Sequence, residues 1–143
     1  MMSYFKTKNL FVIWSVAAVL TVVSCKKEDD DDPGTLPQIM LDSSAGYLAK
    51  DTTVAKGTLL KVGVRAAKTE ANDVLIKFTE SVAYDGKADS TVLNATLSSS
   101  EGDAYTKDID INTRNLPGKE KYTFTIVNRD GLVNSVSLTL TVQ

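Results

Sequence analysis

Tyr122-Thr123-Phe124-Thr125-Ile126-Val127-Asn128-Arg129-Asp130-Gly131 and, after three more residues, Ser135-Val136-Ser137-Leu138-Thr139-Leu140-Thr141-Val142 decide the fold. Apolar and polar side chains alternate with a period of two, the period of a half-buried strand and not of a helix. Tyr122, Phe124 and Ile126 share one face; Thr123, Thr125 and Val127 share the other. Val136, Leu138, Leu140 and Val142 repeat the pattern against Ser137, Thr139 and Thr141. Asn128-Arg129-Asp130-Gly131 joins the two runs as a hairpin turn, with Gly131 free to take a positive φ.

The same period runs upstream. Residues 58–66 place Leu60, Val62, Val64 and Ala66 opposite Lys61, Gly63 and Arg65. Residues 74–80 form a strand with Val74, Ile76 and Phe78 on one face. Residues 90–97 form a weaker strand on Val92, Leu93 and Leu97. Residues 105–113 put Ile109 and Ile111 inward and Asp108, Asp110 and Asn112 outward. Residues 37–42 open the series with a short strand that has proline at its start, where a missing N–H is tolerated. Residues 43–57 read as a loop, as do Thr69–Asp73, Asp85-Gly86-Lys87 and Ser98–Asp103. No amphipathic helix interrupts the series. About seven short strands predict an all-β fold, an antiparallel β-sandwich, ahead of a closed barrel.

Leu116-Pro117-Gly118 before Tyr122 looks like a tyrosine corner, in which the hydroxyl bonds to upstream backbone. The hairpin from Gly118-Lys119-Glu120-Lys121 through Val142 resembles the C-terminal hairpin of bacterial immunoglobulin-like domains. That resemblance implies an immunoglobulin-like sandwich of about seven strands over residues 37–143.

The N-terminal residues carry a different signal. Lys6 and Lys8 precede an apolar run at 10–23 of about 14 residues, shorter than the roughly 20 a membrane-spanning helix needs. The run ends at Val22-Val23-Ser24-Cys25, the only cysteine of the 143 residues. This resembles the bacterial lipobox. The resemblance implies a signal peptide at 1–24, removed before Cys25, whose thiol and new amine are acylated. Several acyl chains hold a protein on a membrane firmly, since each buried CH₂ contributes about 0.8 kcal/mol.

Lys26-Lys27-Glu28-Asp29-Asp30-Asp31-Asp32 follows at once. Like charges extend a chain, so residues 25–36 read as a flexible linker reaching roughly 36 Å. The run also resembles the export signal of Bacteroidota surface lipoproteins. It implies an outer-membrane location, lipid-anchored and facing outward, in a small Bacteroidota lipoprotein that carries one immunoglobulin-like domain.

Composition narrows the chemistry. The chain has no histidine and a net charge of −2. The commonest general base and metal ligand is therefore missing, and acylation would consume the one thiol. No basic cluster or motif suggests nucleic acid. Asp108 and Asp110 share a strand face, the pairing a carboxylate-dependent hydrolase would need; solvation of that face is the simpler reading. Asp85, Asp89, Glu101, Asp103 and Asp130 lie in loops without the spacing of a calcium loop. Tyr47, Tyr84 and Tyr105 are the aromatics left for stacking on sugar. The expectation is a non-catalytic binding or structural module with no cofactor and no metal. Its partners are the membrane, through Cys25, and a protein or glycan ligand. Two alternatives are kept: a hydrolase using Asp108/Asp110, and an assembly subunit joining partners through the edge of the last strand.

Overall fold

The computed structural model describes residues 34–143. The signal peptide, Cys25 and the acidic run Lys26–Asp32 lie outside the described residues. Eight strands form: β1 (Gln38–Leu41), β2 (Thr52–Val54), β3 (Leu59–Ala67), β4 (Leu75–Tyr84), β5 (Ser90–Thr96), β6 (Ala104–Asn112), β7 (Gly118–Asn128) and β8 (Val133–Val142). One 3₁₀ turn, Ser99–Glu101, is the only helical element among the described residues. The strands make two sheets, ordered β1-β3-β6 and β2-β8-β7-β4-β5. The fold is a β-sandwich.

Alternation builds the core. Phe124 and Ile126 of β7, Leu140 of β8 and Phe78 of β4 meet Val62 and Val64 of β3, and all six are fully buried. Phe78 and Tyr105 pack with ring centroids 5.1 Å apart at 44°, a tilted geometry favoured by the ring quadrupoles.

Three features differ from the sequence expectation. The first is in β4, where Leu75 pairs with Asn128 and Lys77 with Val127. Ile76 is therefore the extra residue of a β-bulge. Leu75 and Phe78 both point inward, while Ile76 is 38% exposed, so the inward assignment of Val74 and Ile76 gives way to Leu75.

The second is β2, within a stretch read as loop. It pairs in parallel with β8, Thr52 opposite Leu140 and Val54 opposite Val142. The Gln143 amide donates to the Val54 carbonyl at 3.0 Å. The chain leaves β1, crosses to the other sheet and lies along the free side of β8. The end of the last strand, Leu140–Val142, is thus covered, and an open edge is left only along the earlier part of β8.

The third is Glu80. The sequence expectation ends this strand at residue 80, yet β4 continues to Tyr84 and Glu80 is 6% exposed on the inward face, opposite Leu93 and Phe124. Burial pushes its carboxyl pKa up, and Lys107 on the neighbouring sheet offsets this only partly. A folded-state pKa above the unfolded one means that the ionised form costs stability, increasingly as pH rises through the folded value. Glu80→Gln is expected to raise Tm at pH 7, with the gain shrinking as pH falls through the raised folded-state value and gone below about 4.3. Thermal melts of the two proteins between pH 4 and 8 check this; a Tm at pH 7 equal to or below wild type contradicts it.

Candidate functional site

Asp108 and Asp110 stand on the outer face of β6, as the alternation requires. Asp108 accepts from Tyr47 Oη at 2.7 Å and from Arg65 at 3.1 Å, and Arg65 also pairs with Asp42 at 2.8 Å. The Tyr47 ring lies 5.4 Å from the guanidinium. It covers Gly63, where an added Cβ would approach the ring to 3.0 Å, so the close passage depends on glycine. The Tyr47 hydroxyl, then Arg65, hold the Asp108 carboxyl below its usual range. Asp108 is a structural acceptor for Tyr47 and Arg65, and Asp110 is exposed on a sheet face beside it. The geometry brings the two together as neighbours on a surface, without a cleft between them.

Among the loop acids, Glu101, Asp103 and Asp85 have partners of their own. Ser98 donates to Glu101 through its amide at 2.8 Å and its hydroxyl at 2.6 Å. Asp103 pairs with Lys68. Asp85 accepts from Arg114 at 3.1 Å and from the Lys119 amide at 2.8 Å. Asp130 stands beside Asp73, which is 5% exposed; that neighbouring carboxylate, then burial, push Asp73 up. Among the described residues no three such groups converge as a metal site. The tyrosines are engaged too. Tyr105 is core, Tyr47 covers Gly63, and Tyr84 lies under Arg114 at 4.3 Å.

The most concentrated polar chemistry lies at the end of the sandwich where β7 begins. Glu120 is fully buried. Its Oε1 accepts from the Arg114 amide at 2.9 Å and from Arg114 Nε at 3.0 Å, and its Oε2 accepts from Tyr122 Oη at 2.8 Å. Tyr122 therefore bonds a carboxylate two residues away, and the tyrosine-corner expectation of a backbone acceptor is corrected. Burial, with Glu120 beside it, raises the Tyr122 hydroxyl far above its usual range.

Arg114 reaches on to Asp85, which takes a φ of 55° in the turn between β4 and β5. Gly118, at φ 149°, leaves the space that Asp85 and Arg114 occupy. Sequence reasoning missed this clamp, although the alternation placing Tyr122, Phe124 and Ile126 inward, extended two residues back, puts Glu120 inward as well.

A buried carboxylate needs its partners, and a buried partner needs its acceptor. Glu120→Leu leaves Arg114 and Tyr122 without that acceptor and is expected to cost about 3–5 kcal/mol in urea unfolding. Glu120→Gln keeps an acceptor oxygen and is expected to lose less. Wild-type stability in the leucine variant contradicts this role.

No protein-family model matches the chain, and no curated protein matches it in sequence. Solved structures do resemble it. A superoxide reductase (neelaredoxin) from Ignicoccus hospitalis is 9% identical with a TM-score of 0.49, over 76% of this chain and 81% of that one. A β-glucosidase from Listeria innocua is 11% identical with a TM-score of 0.44, over 73% of this chain and 16% of that one. A Niemann-Pick type C2 protein from the Japanese carpenter ant is 3% identical with a TM-score of 0.42, over 74% and 89%. No residue role is carried over from any of them.

Proposed function

We propose that this chain is a lipoprotein anchored through Cys25 on the outer membrane and facing outward, and that its folded part is a non-catalytic binding or structural module. The observation that carries this reading is the order Val22-Val23-Ser24-Cys25-Lys26-Lys27-Glu28-Asp29-Asp30-Asp31-Asp32, a lipobox-like site followed directly by an acidic run. The sandwich begins within a few residues of that run.

Strand order supports an immunoglobulin-like assignment. β1 pairs with β3, the chain crosses to lie parallel to β8 as β2, and β7 sits between β8 and β4. Interleaved sheets of this kind, with the first strand divided between them, are the sandwich plan that the C-terminal hairpin resembles. Fold alone assigns no activity. The non-catalytic reading rests on Asp108 being tied to Tyr47 and Arg65 on a flat sheet face with Asp110 exposed beside it.

The chain enters the sandwich at one defined end. The Thr35 amide donates to Glu70 at 2.7 Å, Thr69 Oγ1 to the Leu36 carbonyl at 2.9 Å, and Asn134 Nδ2 to the Pro37 carbonyl at 2.8 Å. On this reading that end, formed by the β3–β4 loop and the β7–β8 hairpin, faces the membrane. The Glu120 end points away.

Cells fed labelled palmitate are expected to label the wild-type protein and to leave Cys25→Ala unlabelled. Protease added to intact cells is expected to remove the domain while a periplasmic marker survives. Absence of label overturns the anchor. Protection of the domain until lysis overturns outward display.

A further inference from the structure

The outer face of the five-stranded sheet is rich in hydroxyls, with Val127 and Val133 at the hairpin end. Its strands present hydroxyls in cross-strand rows: Thr79, Thr125 and Ser135 in one, and Ser81, Thr123 and Ser137 in the next. Toward the start of β7 the rows continue as Lys121 with Thr139, then Lys119 with Thr141 and Thr53. No acidic side chain points outward from these strands in a chain with 18 Asp and Glu. The other sheet differs: its outer face balances Lys61 and Arg65 against Asp108 and Asp110.

The lysines at this end form no direct ion pair, although Lys87 lies close enough to Asp85 to help lower its carboxyl pKa. Ion pairs among the described residues engage Arg65, Lys68 and Arg114, and none involves Lys87, Lys119 or Lys121. Two open depressions meet there. One, of about 370 Å³, is lined by Asp51, Thr53, Lys119, Thr139 and Thr141; the other, of about 430 Å³, by Lys87, Asp89, Lys119, Lys121 and Thr139. They share Lys119 and Thr139. Asp51 is occupied, since its Oδ1 accepts the Thr139 amide at 2.7 Å.

We infer that this double depression binds an extended anionic polysaccharide, its carboxylate or sulfate groups on Lys87, Lys119 and Lys121 and its ring hydroxyls on the threonine rows. Three features select this occupant. Three lysines against two aspartates leave the double depression net positive, and the sheet face beside it carries no outward acid, which complements a polyanion. Closely spaced hydroxyls are donors and acceptors suited to sugar hydroxyls. The face offers no aromatic ring on which a neutral sugar would stack.

An anionic membrane is the less fitting occupant. The patch lies at the start of β7, whereas the chain enters the sandwich beside the end of β7, where Asn134 bonds the Pro37 carbonyl. The inference gives the ligand class of the module reading above and rests on it.

Affinity electrophoresis of the mature chain, purified in detergent, tests the inference on gels containing polygalacturonate, a sulfated glycan or neutral dextran. Retardation is expected on at least one anionic gel and absent on dextran, and it should weaken as salt rises. Lys119→Glu/Lys121→Glu is expected to weaken binding by about an order of magnitude at unchanged Tm, while Lys61→Glu on the opposite face binds as wild type. Absence of retardation on both anionic gels overturns the inference, as does equal loss in Lys61→Glu. Binding only to anionic phospholipid vesicles also overturns it. Because purified protein is used, failure here is separate from failure of the palmitate and shaving experiments.

Discussion

A carboxylate with no exposed surface sets the terms for one end of this sandwich. Glu120 sits on the inward face of β7 and accepts three hydrogen bonds, two from Arg114 and one from Tyr122. Removing an ion from water is expensive, and the cost is offset only when its oxygens are matched. Here the matching groups come from the loop before β7 and from β7 itself. Arg114 then extends to Asp85 and lies over Tyr84, so the β4–β5 turn joins the same network. One buried charge thereby fixes the connection between the sheets, a turn at the edge of the larger sheet and the conformation of Gly118.

Most of the fold was legible because period-two alternation is local. The order of the long strands, the Asn128–Gly131 hairpin turn and the Asp85-Gly86 turn follow from neighbours in sequence. What was not legible depends on distant partners. Ile76 faces outward because β7 forces a bulge into β4, and nothing within 74–80 records that. Thr52–Val54 is too short to show a period, and its partner lies nearly ninety residues away on β8. Glu80 and Glu120 were hidden for a related reason. A charged residue normally marks a solvated position, and only the phase of the surrounding apolar residues shows that these two point inward.

The candidate chemistry was legible in position but not in state. Asp108 and Asp110 do share a face, yet the Tyr47 and Arg65 that fix Asp108 come from a loop and a neighbouring strand. The tyrosines expected at loop ends are all engaged in packing. The polar surface that remains available is the outer face of the larger sheet, where alternation places serine, threonine and lysine together and excludes acids. On the proposed reading the molecule divides its work along its long axis. The tether joins beside the end of β7, and the lysine-bearing face and the Glu120 clamp lie toward its start.

Amide hydrogen exchange at Arg114 and Lys119 tests the clamp most directly. Arg114 lies in the loop before β7 and Lys119 is the second residue of β7, and the amide of each donates to a carboxylate of the network, Arg114 to Glu120 at 2.9 Å and Lys119 to Asp85 at 2.8 Å. If the clamp closes this end of the sandwich, these two amides exchange as slowly as those of Phe124 and Ile126 in the core of β7, through the same global opening. Exchange at the rate of the exposed Ser98–Glu101 turn would show that this end opens independently, and that Glu120 does not organise it.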